Sequence, residues 1–177
     1  MFKGEKVNLR ALEAEDLEKL YSWENDFSNW HVSGTTAPFS RFVLEQYLAS
    51  AHEDIFVNKQ LRLIIEIASE NGKSEAIGCI DMFEFEPKHK RAGVGILIGE
   101  KHLRNTGYGF DALTCFTRFA FAAYNLHQLF CNVAADNHSS IALFMKAGFK
   151  ITATRNEWLL KDDQWVDEHL LQYFNEK

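Results

Sequence analysis

The stretch Leu103-Arg104-Asn105-Thr106-Gly107-Tyr108-Gly109 lies between the apolar run Val94 to Ile98 and the long segment Tyr108 to Leu126. Its reading decides the fold. A strand, a tight glycine-containing turn and a helix, in that order, aim a row of backbone N–H groups and a helix N-terminus at one point, a geometry that holds an anion. Gly107 and Gly109 let the backbone close on a pyrophosphate with no Cβ in the way, and the partial positive charge of the helix start adds attraction. Arg104 is expected to bring a full charge to the rim. No Gly-Lys-Ser or Gly-Lys-Thr follows, so this is not a Walker loop, and the third glycine of a dinucleotide fingerprint is missing.

Working outward toward the N-terminus, Arg91 to Ile98 is the strand that feeds the turn. Before it, Leu61 to Ala68 and Glu75 to Phe85 predict a hairpin closed by Glu70-Asn71-Gly72-Lys73 and stopped by Pro87. Lys6 to Leu12 alternates, with Val7, Leu9 and Ala11 on one side. Glu13 to Trp23 has helical spacing at Leu17, Leu20 and Tyr21, with Glu13, Glu15 and Asp16 where the helix dipole favours acids. Asn25 to Pro38 loses periodicity and is expected to be a loop that meets a ligand through Trp30 and His31. Ser40 caps a further helix to about Ala51, with Phe42, Val43, Tyr47 and Leu48 predicted on its inner side.

Toward the C-terminus, the helix after the turn carries Leu113, Phe116, Ala120, Phe121 and Tyr124, enough apolar surface for a central element. Leu129 to Ala134 predicts a strand. Asp136-Asn137-His138-Ser139-Ser140 opens a helix through Lys146 that Gly148 ends. Ile151 to Thr154 and Leu170 to Phe174 are the expected closing strands, with the polar turn Lys161-Asp162-Asp163-Gln164 between them.

The 177 residues suit one domain, 1–177, with a core that needs no disulfide or structural metal. No stretch approaches the ~18 apolar residues of a membrane span, and Met1 to Lys6 lacks the apolar core of a signal peptide, so a cytoplasmic protein without membrane contact is expected. Cys79, Cys115 and Cys131 lie in apolar segments and read as buried hydrophobes. With the histidines showing no ligand spacing, no metal site is expected. Residues 1–90 hold ten Lys and Arg against sixteen Asp and Glu, while 91–177 hold nine of each. That balance argues against nucleic acid and favours a cationic partner if the first half forms the substrate site.

Three motifs together carry a resemblance: Arg104-x-x-Gly107-x-Gly109 after an apolar strand, Asn137-x-x-Ser140 opening the later helix, and Lys146-Ala147-Gly148-Phe149 ending it. Their order along nearly the whole chain resembles the GNAT superfamily of acyl-CoA-dependent N-acetyltransferases. Val7-Asn8-Leu9-Arg10-Ala11-Leu12-Glu13-Ala14-Glu15-Asp16-Leu17 looks like the opening of the branch with ribosomal-protein N-terminal and spermidine or diamine acetyltransferases. Within it, Gly78 to Glu84 and the acidic first half lean toward polyamines. The resemblance implies an α/β (α+β) fold with a twisted, mixed, mostly antiparallel sheet flanked by helices, and acetyl-CoA as acyl donor.

It also implies roles. Backbone groups of Ile96, Leu97 and Ile98 would pair with pantetheine amides. The amides of Arg104, Asn105, Thr106, Gly107, Tyr108 and Gly109 would hold the pyrophosphate, Asn137 and Ser140 would belong to the cofactor site, and Phe144 would lie by the thioester. Where many members carry a proton-donating Tyr, this chain has Phe144, and where some carry a Glu base it has Asn132. Positioning and backbone stabilisation of the oxyanion would then supply most of the rate.

Asp81, first, and Glu84, second, are the candidate catalytic carboxylates, and Trp30, His31 and Asp81 the candidate substrate contacts. The acids that spermidine enzymes carry after the first helix have no match in Ser33-Gly34-Thr35-Thr36. The expected reaction is acetylation of a primary amine by direct attack on the thioester. The acceptor is a small cationic amine such as a polyamine, with a peptide N-terminus or an aminoglycoside as alternatives. A CoA-binding module without catalysis is the reading of another class, and homo-oligomerisation is left open.

Overall fold

The computed structural model describes residues 2–51, 53–68 and 74–176. One eight-stranded sheet has the order β1-β2-β3-β4-β5-β6-β8-β7. Its strands are β1 (Phe2–Lys3), β2 (Asn8–Ala11), β3 (Leu61–Ala68), β4 (Ser74–Glu86), β5 (Arg91–Ile98), β6 (Gln128–Ala134), β7 (Lys150–Lys161) and β8 (Gln164–Phe174). Every neighbouring pair is antiparallel except β5 and β6. The mixed, mostly antiparallel sheet is therefore as the resemblance implies.

Alternation along the strands gives the sheet two packed faces. Leu63, Ile65, Ile80, Met82 and Val94 bury one side against Leu113, Phe116 and Ala120 of the central helix α5 (Tyr108–Tyr124). Ile64 and Leu97 turn to the other side and meet Leu20 and Trp23 of α1 (Leu17–Glu24) and Leu44 of α3 (Arg41–Ser50). The three cysteines are buried in apolar surroundings, and burial pushes the Cys79 and Cys131 thiols up to about 12. No helix among the described residues is long and apolar enough to cross a membrane.

Several expectations need correction. Asn25 to Pro38 is not all loop, because Phe27–Ser33 forms a helix, α2. Asp26 accepts from the Ser28 amide at its start, and Gly34, at φ 70°, stops it. At seven residues the helix is about two turns long, too short to show a period. In α3, Phe42 and Val43 are exposed and Leu44 is the buried residue, with Tyr47 and Leu48 half-buried. A short helix, α4 (Ile55–Asn58), and the two-residue β1 were not expected. The turn Glu70 to Lys73 lies outside the described residues.

The closing strands are far longer than expected. Asp162 and Asp163, at φ 49° and 60°, form a two-residue turn with both residues left-handed, so β7 and β8 pair from Lys161↔Gln164 onward. That turn matches strand twist and extends the hairpin past the core, leaving Trp158, Leu160 and Trp165 mostly exposed.

Two polar clusters pin the N-terminal segment, and neither was expected. Arg10 grips both carboxylate oxygens of buried Asp16 at 2.6 and 2.7 Å, and its Nε donates to Glu66 at 2.5 Å. In the first turn of α5, Asp111 accepts the amides of Glu5, Lys6 and Val7 at 3.0, 2.7 and 2.9 Å. Burial pushes this carboxyl up, but the three amide donors outweigh it and hold it below the ordinary carboxylate range. Asp111→Ala should destabilise the fold by about 2 to 3 kcal/mol at neutral pH, since it orphans three amides. Because the folded-state value is depressed, Asp111 contributes above the unfolded carboxylate range, and the contribution disappears as pH falls through the lower folded value. Denaturant melts of wild type and variant should therefore converge in acid.

Candidate active site

β5 and β6 pair at only three positions, Arg91↔Gln128, Ala92↔Leu129 and Gly93↔Phe130. Beyond Gly93, β5 stays on β4 as far as Ile98↔Gly78, while β6 follows β8 as far as Ala134↔Glu168. The strands diverge into a cleft with one unpaired edge of β5 along it. The Lys90 carbonyl accepts from the His127 and Gln128 amides, and the Gly99 amide donates to the Ile77 carbonyl. Alternation then turns the backbone of Val94, Ile96 and Ile98 to the open edge and that of Leu97 toward Cys79 of β4. Of the three expected strand contacts, Ile96 and Ile98 face the cleft and Leu97 does not. The Ile98 carbonyl already accepts from Arg104 Nε at 2.8 Å.

The loop after β5 ends the same cleft. Gly107 stands at φ 94° as N-cap of α5, a left-handed conformation that L side chains resist. The amides of residues 105–110 find no acceptor among the described residues, whereas that of Arg104 bonds the Lys101 carbonyl at 3.2 Å. So Asn105, Thr106, Gly107, Tyr108 and Gly109 offer the row of donors expected, and Arg104 does not join it. Its side chain is not at the rim either, because Nη2 donates to Asn29 Oδ1 at 3.0 Å and ties α2 to the end of β5. Gly109 differs from Gly107. A Cβ there would meet Leu143, Ile98 and Ile96 only at ordinary contact distances of 3.6 to 3.9 Å.

Across the cleft is α6 (His138–Lys146). Asn137 Oδ1 caps it by accepting from the Ser140 amide at 3.1 Å and from the Ser139 hydroxyl, which leaves its Nδ2 donors without a described partner. Phe144 is buried, edge-on to Phe149 at 5.1 Å. Asn132 is exposed on β6 opposite Leu170.

On the α1–α3 face, the Phe83 ring covers Gly93, where a Cβ would come within 2.3 Å of it, and Gly95, at 3.6 Å. Phe130 meets Phe83 edge-on at 6.1 Å. Asp81 pairs with Gly95 in the sheet and shares this face. Both its oxygens accept from Arg62, at 2.6 and 3.0 Å, and Arg62 Nη1 donates to Glu24 at 2.5 Å. Arg62 also lies over the Tyr47 ring, 5.4 Å from its centre. Burial pushes the Tyr47 hydroxyl up to about 12 although Arg62 opposes it. A recess of about 250 Å³ opens here, lined by Tyr47, Glu53, Asn58, Gln60 and Arg62.

Glu84, at φ 47° where the β4–β5 register shifts, is exposed and has no described partner. Trp30 is half-buried in α2, its indole N–H donating to the Glu24 carbonyl at 3.0 Å, a local use that leaves its ring against Phe27. The backbone of His31 is in α2, and its side chain lies outside those described. No group of His, Cys, Asp and Glu among the described residues could hold a metal. Sequence reasoning missed Arg62 and Glu24. Strand pairing sets Arg62 beside Asp81, and α1 brings Glu24 onto the same guanidinium.

A family model described as an acetyltransferase (GNAT) domain matches residues 6–150. This chain belongs to the GNAT acetyltransferases. The N-acetyltransferase is 29% identical over 147 residues to the spermidine N(1)-acetyltransferase of Vibrio cholerae, covering 81% of this chain and 79% of the relative. It is 26% identical over 154 residues to the spermidine N(1)-acetyltransferase of Escherichia coli, covering 85% and 76%. The crystal structure of the Vibrio cholerae spermidine N-acetyltransferase with CoA and spermine has the same fold, with a TM-score of 0.84 at 22% identity over 96% of this chain and 95% of that one. Acetyl-CoA is the acyl donor of this N-acetyltransferase, and the free amides of residues 105–110 and the open edge of β5 suit a diphosphate and a chain of amides.

Gly107→Val should weaken CoA binding at least tenfold by isothermal calorimetry, because a β-branched residue resists φ 94° and blocks the amides. Gly109→Ala should bind within about threefold of wild type, the added methyl meeting only ordinary contacts.

Proposed function

We propose that this N-acetyltransferase acetylates a primary amine of a small cationic molecule, a polyamine first among them. The observation that carries the reading is the pair of carboxylates, Glu24 and Asp81, held on one face beside the glycine-lined, Phe83-covered part of β5. Arg62 neutralises one of their two charges, and Glu84 and Glu53 are further acids on neighbouring segments. An approaching ammonium is attracted by what remains. The spermidine N(1)-acetyltransferases among the relatives support the same substrate class.

Acetyl-CoA supplies an acetyl group already activated as a thioester. The unpaired edge of β5 at Ile96 orients the donor along the strand, and the amides of residues 105–110 hold its diphosphate, with Asn137 and Ser140 on the opposite wall. Phe83 and Phe130 exclude water from the face where the amine arrives. Each oxygen of Asp81 keeps a lone pair beyond the one Arg62 uses, so it can accept an N–H of the ammonium and fix the nitrogen near the thioester. An amine with solution pKa of ~10.4 must shed a proton before attacking. Asp81, or water reaching Glu84, takes it. Phe144 has no proton to give the departing sulfur, which leaves as thiolate.

Thiol release from acetyl-CoA, measured across spermidine, spermine, diamines, aminoglycosides and short peptides with a no-amine control, should show selective turnover of the polyamines. Selective turnover of peptides would replace this acceptor, and CoA binding without turnover of any amine would establish a binding module. Asp81→Asn keeps one acceptor oxygen for Arg62 and should lower kcat/KM for the amine roughly tenfold or more, with CoA affinity unchanged. Full activity in that variant would remove Asp81 from the reaction.

A further inference from the structure

With Arg104 tied back to Ile98 and Asn29, the loop that faces the diphosphate lacks the side-chain cation expected of it. Another cation stands there. Lys6 Nζ lies 3.4 Å from the Thr106 carbonyl and 3.2 Å from the point where a Cβ on Gly107 would be. It has no ion pair with any described carboxylate, and its side chain is exposed. The Asp111 carboxylate is committed to the amides of Glu5, Lys6 and Val7. That clamp places the Lys6 backbone beside the first turn of α5, across about a hundred residues of sequence. An ammonium at the mouth of a row of unpaired amides adds a full charge to their partial ones.

We propose that Lys6 is the side-chain cation that pairs with a phosphate of acetyl-CoA, the Asp111 clamp holding it at the rim of the 105–110 loop. The inference rests on the reading of that loop as the diphosphate site. Either the diphosphate or the 3′-phosphate offers the required anion, and dephospho-CoA, which lacks only the latter, separates them.

The test is calorimetric titration of the full chain with CoA and with dephospho-CoA, at low and at physiological salt. Lys6→Met should weaken CoA binding roughly three- to tenfold and flatten its salt dependence, while Lys6→Arg restores both. A deficit that persists with dephospho-CoA assigns Lys6 to the diphosphate, and one that vanishes assigns it to the 3′-phosphate. Unchanged affinity in Lys6→Met, or weaker affinity with the wild-type salt dependence, overturns the proposal. Gly107→Val separates the two levels. If it loses CoA binding while Lys6→Met is neutral, only Lys6 is wrong, and if both are neutral the loop itself is not the anion site.

Discussion

Three residue pairs between β5 and β6 are the contact on which the rest of the site depends. Parallel strands ordinarily continue side by side, and here they part because each has a stronger antiparallel partner on its far side. β5 is held to β4 from Phe83↔Gly93 to Gly78↔Ile98, and β6 to β8 from Gln128↔Phe174 to Ala134↔Glu168. The sheet cannot close the gap without breaking one of these ladders. The cleft is therefore built into the pairing, and the polar backbone along its edge needs an extended partner to satisfy it.

Charged side chains then fasten the frame at points far apart in the chain. Arg10, Asp16 and Glu66 join the start of α1 to β2 and β3, and Arg104 joins α2 to the end of β5. Arg62 bridges α1 to β4 through Glu24 and Asp81 while lining the recess on the α1–α3 face. A guanidinium suits this place because its planar fork meets one carboxylate at two points and still reaches the second. Asp111 works similarly with main-chain partners and couples the N-terminal segment to the start of α5.

What the sequence made legible was local. Gly107 as helix start, Asn137 as cap, Gly148 as stop and the apolar runs of β3 to β5 each announce themselves within a few residues, and the order of elements followed. What it hid was pairing over long separations. Arg104 looks like a rim cation in a one-dimensional motif, and only the position of Asn29, 75 residues away, shows where its charge goes. Lys6, by contrast, sits in an unremarkable polar start and gains its position through an aspartate more than a hundred residues on. The α2 helix was missed because Asp26 and Gly34 bound it more strongly than its short apolar pattern advertises.

The two outermost strands also govern how the molecule behaves in a crowded solution. At one margin β1 is two residues long, too short to template a neighbouring chain. At the other β7 is long and exposed, but its register with β8 breaks between Arg155 and Leu159, with Glu157 at φ 49° inside the break. A bulge there twists the margin and interrupts the straight row of N–H and C=O groups that an incoming strand would need. The sheet thus protects itself against edge-to-edge aggregation at both ends, by brevity on one side and by irregularity on the other.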